Sequence, residues 1–234
     1  MNFLRSIFFN VYFFIITTLF CSLGLAFIWM PTSFILKIAY TWSWMTQLGL
    51  RLFLNIKINI NDEAGLDNMR DGSYIVASKH QSALETIIFY TIFRNPIFVL
   101  KKELTYIPIF GILAWKIHIS VDRGNRKAMS GILKQLPRAI KRKRKIIIFP
   151  EGTRNKVGMK KDKIKYKSGV YYIAKNNPDL KILPVNINTG EVWGKKAFVK
   201  KSGAVNINIY KPFKASDMKN KKLFLEELKN AVEK

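Results

Sequence analysis

Two side chains that could move a proton, those of His80 and Glu85, lie five positions apart between two apolar runs. The run at residues 74–77 predicts a strand that ends near His80, and the run at residues 86–92 predicts a helix that carries Glu85 in its first turn. A carboxylate that binds one imidazole nitrogen fixes the tautomer and strengthens the other nitrogen as a proton acceptor. The spacing therefore indicates that His80 is a general base and that Glu85 orients it.

Glu85 has an alternative role that the sequence leaves open. Ser82 is a residue type that often precedes a helix, and an acid three residues later completes a capping box. A histidine taken alone is more often structural than catalytic. The choice between the two roles depends on whether the helix begins near Ser82 and brings the carboxylate of Glu85 back to the imidazole ring.

The charge of the chain predicts an anionic partner. Forty basic residues against 15 acidic ones give a net charge of +25, which suits a nucleic acid, an acidic membrane surface or acidic small molecules and carrier proteins. Hydrophobic residues make up 49% and aromatic residues 13% of the chain, which argues against a disordered basic tail. Cys21 is the single cysteine, and His80 lies far from His118, so we expect neither a disulfide framework nor a bound metal.

The first 53 residues are expected to form a membrane anchor that precedes a catalytic domain at residues 54–234. Residues 7–30 are nearly all apolar, and as a helix they would extend about 36 Å, enough to cross a hydrocarbon core. The run closes with Trp29, Met30 and Pro31 rather than with the small residues of a signal cleavage site, so we expect a retained helix. Whether that helix spans the bilayer or only enters it stays open.

Residues 33–54 form a second apolar segment, with one polar stripe and interfacial tryptophans. We expect an amphipathic helix in the membrane surface, with a soluble helix packed on the domain as the alternative. The stripe consists of Ser33, Lys37, Thr41, Gln47 and Arg51, and the tryptophans are Trp42 and Trp44.

From residue 54 onward, strand patterns alternate with helix patterns. This order predicts an α/β domain with a central mixed, mostly parallel sheet flanked by helices. The predicted strands are residues 54–61, 74–80, 97–100, 117–121, 146–149, 182–187 and 204–210. The later predicted helices are 127–145, bent or interrupted near Pro137, 169–175 and 217–234.

Polar residues follow several of these predicted strands. Asp122 and Arg123 follow one, and residues 151–154 follow another. The carboxyl ends of strands in an α/β sheet are the usual place for a ligand. The guanidinium of Arg154 suits a phosphate, and Gly152 lets backbone N–H groups approach an anion.

The ordered set of motifs resembles the glycerolipid acyltransferases, and specifically the bacterial 1-acylglycerol-3-phosphate acyltransferases. The resemblance covers about residues 54–215, and the hexapeptide FPEGTR is its most specific part. The chain departs from the family at Glu85, where the family usually has aspartate. The matching segments are HxxxxD at residues 80–85, hydrophobic-Asp-Arg at 121–123, FPEGTR at 149–154, a hydrophobic-Pro-hydrophobic strand at 182–186, a lysine before Glu-Leu at Lys101, and aromatic-Lys-x-Gly at 166–169.

The resemblance implies a reaction and a set of site residues. His80 would deprotonate the free hydroxyl of a lysophospholipid, which attacks an acyl thioester, while Glu85 orients the ring. It implies no cofactor beyond the co-substrate, acyl-CoA or acyl-acyl carrier protein. The implied phosphate-binding residues are Arg123, Glu151, Gly152, Thr153 and Arg154, and Lys101 would contact the phosphate or the oxyanion. For Asp122 and Glu151, an ion pair that fixes the loops is the alternative. Pro184 and His118 are expected to be structural.

The resemblance places the enzyme at the cytoplasmic face of the inner membrane, where lysophosphatidate becomes phosphatidic acid in phospholipid biosynthesis. Its expected partners are an anionic membrane, lysophosphatidate and the thioester donor, without nucleic acid. Another lysolipid acceptor, such as lysophosphatidylglycerol or a lyso-ornithine lipid, stays open. A membrane-anchored nucleic-acid-binding protein would also explain the charge, but the basic run 141–145 contains no aromatic residue. A hydrolase of the G-x-S-x-G type is excluded because that motif is absent.

Overall fold

The computed structural model describes residues 1–122, 128–218 and 220–234. The chain begins with two long helices, α1 (Asn2–Ala26) and α2 (Thr32–Leu54). The first begins and ends earlier than the expected 7–30, because the chain turns ahead of Pro31. Helix α2 ends where Asn55 adopts a left-handed φ of 52°, which delays the next strand from the predicted residue 54 to Ile56.

The described residues form a central sheet of eight strands. The inner strands run parallel to one another, and antiparallel pairs form only where β7 and β8 join β6, which confirms the predicted mixed, mostly parallel sheet. The strand order is β1-β7-β6-β2-β5-β3-β4, with β8 beside β6. The strands are β1 (Ile56–Asp62), β2 (Tyr74–Ser78), β3 (Pro96–Lys101), β4 (Ile119–Val121), β5 (Lys145–Ile148), β6 (Lys181–Ile187), β7 (Gly203–Ile209) and β8 (Phe213–Lys214).

Helices cover both faces of this sheet, because alternate residues of each strand point to opposite sides. Val76 of β2 belongs to a core that also contains residues of α1 and α2, whereas Ile75 belongs to a second core on the other face. Strands buried on both faces read as continuous apolar runs, which explains why the sequence predicts them well. The remaining helices are α3 (Leu84–Ile92), α4 (Phe110–Ile117), α5 (Ala128–Lys141), α6 (Gly169–Lys175), α7 (Thr189–Val192) and α8 (Lys221–Val232).

Helix α1 is long and apolar enough to cross a membrane, and it also packs against the rest of the chain along its length. Its inner face buries Ser6, Phe9, Ile16 and Gly24. Its contact with α2 is close, since a Cβ added at Gly49 would lie 2.3 Å from the ring of Tyr12. The opposite face of α1 is exposed and apolar, with Phe3, Leu4, Phe8, Val11, Phe14, Ile15, Leu19 and Leu23.

Two local predictions between residues 109 and 145 were wrong. The apolar run before His118 continues helix α4 to Ile117, so the predicted strand 117–121 shrinks to β4, and His118 caps a helix instead of lying within a strand. Its buried ring contacts the Tyr90 hydroxyl through Nε2 at 2.6 Å and accepts a hydrogen bond from the Phe98 N–H, which gives it the expected structural role. Helix α5 is not interrupted at Pro137, but it ends at Lys141, earlier than predicted.

Candidate active site

The candidate site lies where three neighbouring parallel strands end. Strand β2 lies between β5 and β6, and the chain leaves all three at the same edge of the sheet. His80 follows β2, Glu151 follows β5, and Thr189 follows β6. We call this the carboxyl edge and the opposite one the amino edge.

His80 and Glu85 are in direct contact. Nδ1 of His80 lies 2.7 Å from Oε1 of Glu85. Because an ionised carboxylate accepts a hydrogen bond from Nδ1–H, the proton stays on Nδ1, and Nε2 keeps its lone pair and can take a proton from a substrate. The ring stacks on Phe149 with centroids 4.1 Å apart, and 15% of the His80 side chain is exposed. The imidazole is therefore held on one face and one edge, while part of it stays accessible.

The carboxylate of Glu85 is fully buried and accepts hydrogen bonds from four groups. They are the His80 ring at 2.7 Å, the N–H groups of Gln81 and Ser82 at 2.8 Å, and the Thr189 hydroxyl at 2.6 Å. These donors replace the water that a buried carboxylate loses. The longer side chain of glutamate thus reaches the imidazole while it remains hydrogen-bonded to the backbone.

Glu85 fills both of the roles that its position in the sequence suggests. Its carboxylate reaches back to the Ser82 N–H, as the acid of a capping box does, and it also holds the His80 ring. Helix α3 begins at Leu84, with Ala83 at the N-cap position, so the helix starts one residue later than a cap at Ser82 predicts. The Ser82 hydroxyl still accepts from the Leu84 N–H at 3.1 Å, as a capping serine does, and the N–H groups of Gln81 and Ser82 donate to Glu85.

Residues 149–152 form a turn in which the Gly152 N–H donates to the Phe149 carbonyl at 3.0 Å. Proline suits the second position of such a turn, and Gly152 has a φ of 69°, a region that favours glycine. The FPEG part of the hexapeptide is thus explained by backbone geometry. The turn sends Glu151 inward and leaves Thr153 exposed and Arg154 half-buried.

Glu151 accepts a hydrogen bond from the backbone of residues 79–82, the loop that carries His80, which we call the histidine loop. Its Oε1 accepts from the His80 N–H at 2.6 Å, and its Oε2 accepts from the Asn155 side chain at 2.5 Å. The Asn155 N–H donates to the His80 carbonyl at 3.0 Å, so both peptide groups of His80 are held. Burial raises the pKa of Glu151 to about 7, although the His80 N–H acts in the opposite direction.

The predicted contact between Glu151 and a phosphate does not fit this geometry. Both of its oxygens already accept hydrogen bonds from the protein, and an ionised carboxylate would repel a phosphate. The loop-fixing alternative fits better, through hydrogen bonds rather than an ion pair. Glu151 is therefore placed as a positioning residue for His80.

The other predicted binding residues have separate placements. The guanidinium of Arg154 pairs with no carboxylate among the described residues, so it is available to an anion. Lys101 ends β3, and its Nζ lies 2.8 Å from the Glu103 carboxylate, with both side chains more than half exposed. The prediction for Arg123 falls outside the described residues.

Sequence reasoning missed several residues that support the site. Thr189 donates to Glu85, and the Gly190 N–H donates to the side-chain oxygen of Gln81 at 3.2 Å. A Cβ at Gly190 would lie 2.7 Å from the side chain of Val157, so this close approach needs glycine. A signal was present, because the polar run 188–190 follows a predicted strand just as residues 79–82 do.

The end of the chain also reaches this region. Glu233 follows α8, and its nearly buried carboxylate pairs with Lys79 at 2.7 Å and accepts from the Tyr166 hydroxyl at 3.2 Å. Lys79 precedes the candidate base, and Tyr166 belongs to the matched segment 166–169. The Glu233 side chain therefore holds the residue that precedes His80, a contact that no local pattern predicts.

The assembled groups suit proton abstraction from an alcohol next to a bound anion. The loops supply a base with its orienting acid, a fixed backbone around it and, on the adjacent turn, the guanidinium of Arg154, which has no carboxylate partner in the part of the chain that the structure describes. Among the described residues, no group of three His, Cys, Asp or Glu side chains is placed to hold a metal ion.

Comparison with known proteins agrees with the geometry. The family model described as Acyltransferase matches residues 57–188. The 1-acyl-sn-glycerol-3-phosphate acyltransferase of Pseudomonas aeruginosa is 36% identical over 147 residues, which cover 62% of this chain and 56% of that protein. The Saccharomyces cerevisiae enzyme of the same name is 28% identical over 192 residues, which cover 78% of this chain and 61% of that protein. The matched stretches thus span little more than half of these relatives.

A solved structure shows the same fold. The crystal structure of the 1-acyl-sn-glycerophosphate acyltransferase from Thermotoga maritima matches with a TM-score of 0.77 at 20% identity, and covers 99% of this chain and 95% of that one. The α/β fold with helices on both faces is therefore shared over nearly the whole chain. With the family model matched across both the HxxxxD-like and FPEGTR segments, the chain belongs to the acyltransferase family.

Proposed function

We propose that this chain transfers an acyl group from a thioester to the free hydroxyl of 1-acylglycerol-3-phosphate, which yields phosphatidic acid. The observation that carries the proposal is the 2.7 Å contact between His80 Nδ1 and Glu85 at the carboxyl edge, beside the turn that presents Arg154. The named relatives supply the acceptor, since those from bacteria and yeast are 1-acyl-sn-glycerol-3-phosphate acyltransferases.

The proposed reaction needs one proton to move twice. Nε2 of His80 takes the hydroxyl proton while the oxygen attacks the thioester carbonyl carbon. The tetrahedral intermediate then collapses, the carbon–sulfur bond breaks, and the imidazolium returns the proton to the leaving thiolate. Glu85 stabilises the imidazolium between these steps, because its carboxylate lies against Nδ1.

The head group of the acceptor is assigned to the turn after β5. Arg154 supplies a guanidinium that can form two parallel hydrogen bonds to a phosphate, and Thr153 supplies an exposed hydroxyl. Gly152 has no side chain that would keep an anion away from the backbone of the turn. Arg123, predicted from its motif, would add a second guanidinium, and Lys101 at the end of β3 would act on the phosphate or the oxyanion.

The proposed location is the cytoplasmic face of the inner membrane. The outer face of α1 is apolar, and α2 exposes Tyr40, Trp44, Leu48 and Leu52, which suits contact with lipid. Both substrates of the reaction carry an acyl chain, so this arrangement brings the site to them. Acyl-CoA and acyl-acyl carrier protein are both acidic donors and both suit a chain of net charge +25.

The test is transfer of a radiolabelled acyl group by the purified full chain in detergent micelles. Acyl-CoA and acyl-acyl carrier protein are each offered with lysophosphatidate, lysophosphatidylglycerol and lyso-ornithine lipid. We expect transfer to lysophosphatidate and a loss of about 1,000-fold in kcat for His80→Ala. A preference for another lysolipid would replace the acceptor while leaving the base in place.

The control is Glu227→Gln, an exposed position on α8, which should retain wild-type transfer. Circular dichroism of His80→Ala separates a chemical defect from misfolding. Transfer by a folded His80→Ala protein at the wild-type rate would overturn the proposed function.

A further inference from the structure

The amino edge of the sheet carries a basic cleft that the proposed reaction does not use. Two adjoining hollows of about 520 Å³ each lie between helix α5, the end of helix α4 and the turn that joins α1 to α2. They share Lys116, Arg138, Arg142 and Arg144, and we call this set with its surroundings the basic cleft. Among the described residues, no aspartate or glutamate lines either hollow.

The cations reach the cleft from different elements. Lys134, Arg138 and Arg142 recur every four residues along α5 and just beyond it, so they share one helix face. Arg144 is 5% exposed, and its guanidinium donates to the Pro96 carbonyl at 2.6 Å. Burial lowers its pKa to about 10, and the neighbouring charge of Arg142 acts in the same direction. An anion in the cleft would complement these charges.

The surroundings of the basic cleft indicate a membrane ligand. Trp29, in the turn between α1 and α2, is 72% exposed, and Trp115 on α4 is 70% exposed. Lys116 donates to the Ile28 carbonyl and so ties α4 to that turn. Exposed tryptophans beside basic residues are typical of the level at which lipid head groups lie. The apolar outer face of α1 continues from this turn, so a membrane in contact with α1 would meet the cleft.

We propose that the basic cleft binds the phosphate of an anionic membrane phospholipid, at a site separate from the catalytic one. A zwitterionic lipid fits less well, because its ammonium group would find no acidic partner in the cleft. An acidic carrier protein also fits less well. Its thioester must reach His80 at the carboxyl edge, and the length of β3 alone separates the edges by about 20 Å.

The experiment measures binding of phosphatidylglycerol with a fluorescent acyl chain to the purified full chain in micelles of an uncharged detergent. Phosphatidylcholine with the same label and millimolar inorganic phosphate are the comparison ligands. We expect phosphatidylglycerol to bind about tenfold or more tighter than phosphatidylcholine. We expect Arg138→Glu with Arg142→Glu to weaken phosphatidylglycerol binding by about tenfold or more.

The matched control is Lys221→Glu with Lys222→Glu, an equal change of charge at two exposed positions at the start of α8. It should bind phosphatidylglycerol like the wild type. Arg138→Gln with Arg142→Gln keeps the test valid if the glutamate variant does not fold, and it should also weaken binding. His80→Ala should bind like the wild type, so the result stands apart from the proposed function.

Four outcomes would overturn the lipid site. They are equal binding of the two lipids, equal weakening by the α8 control pair, displacement of the lipid by inorganic phosphate, and loss of acyl carrier protein binding in the arginine variants with lipid binding unchanged. The last would identify the cleft as a docking surface for a carrier protein.

Discussion

The charged side chains at the two edges of the sheet differ in their burial and in their partners. At the carboxyl edge, Glu85 and Glu151 are buried, and each carboxylate accepts several hydrogen bonds from the protein. At the amino edge, Arg138 and Arg142 are exposed and face a cleft that no described acidic side chain lines. A buried charge is costly unless it is paired, so the two buried carboxylates at the carboxyl edge already have their partners within the chain, whereas Arg138 and Arg142 at the amino edge are complemented only from outside.

The difference between the two edges shows where the net charge of +25 is concentrated and where it is balanced. The value alone indicates an anionic partner but does not locate it. The carboxyl edge holds buried carboxylates beside the candidate base, whereas the amino edge holds the basic cleft. Substitutions that disturb the buried carboxylates should therefore change turnover, whereas those in the basic cleft should change lipid affinity.

Among the groups that contact His80, the largest effect on kcat is expected when Glu85 is changed to glutamine. The amide cannot neutralise an imidazolium, and it cannot accept from all four donors, so kcat should fall by about 100-fold or more. For Glu85→Asp, which introduces the residue usual in the family, kcat should fall less, because the variant keeps the negative charge and only shortens the side chain. Steady-state acyl transfer measures both variants, with Glu227→Gln as the control. A wild-type kcat in Glu85→Gln would mean that the buried contact between His80 and Glu85 is only structural, and the carboxyl edge would then not differ from the amino edge in the way described.

A smaller effect is expected for Thr189→Val, which removes one donor to Glu85 without changing the size of the side chain. The carboxylate would lose one of its hydrogen bonds, and we expect kcat to fall about tenfold with KM nearly unchanged. Thr41→Val is the matched control, since that hydroxyl is exposed and donates only to the Lys37 carbonyl of its own helix. An equal loss in both variants would mean that Thr189 does not act through the site.

A third effect concerns the free energy of unfolding and its dependence on pH, rather than turnover. Burial raises the pKa of Glu151 in the folded chain from 4.5 to about 7, so its contribution to stability is fully present below pH 4.5 and is lost as the pH rises through 7. Glu151→Gln should therefore gain stability relative to the wild type between pH 5 and pH 8, by about 3 kcal/mol at most. Thermal unfolding at both values measures this. A difference between the two proteins that does not change with pH would show that Glu151 is not held in a desolvated place.

The sequence predicts most of the site that local chain geometry determines. His80 and Glu85 lie on either side of one strand-to-helix junction, and the turn at residues 149–152 has the proline and glycine that its backbone needs. The inner strands are predictable because β2, β5 and β6 are continuous apolar runs. These features depend on residues close together in the chain.

The rest depends on contacts between distant residues. Thr189 meets Glu85 across 104 positions, and Glu233 meets Lys79 from the other end of the domain. No periodicity reports such a contact. Ile117 and His118 were predicted as the start of the strand at residues 117–121, because helix and strand patterns look alike over so few residues, and packing of Ile117 against α1 and α2 favours the helix.

The most direct test of the central claim is the position of the proton on the His80 ring. The chain has two histidines, so ¹⁵N-labelled protein gives only four ring nitrogen signals, and His80→Ala assigns them. We predict that at pH 8 the proton is on Nδ1, against Glu85, and that Nε2 is unprotonated. A proton on Nε2, with Nδ1 bare, would contradict the proposal that this imidazole takes a proton from the acceptor hydroxyl.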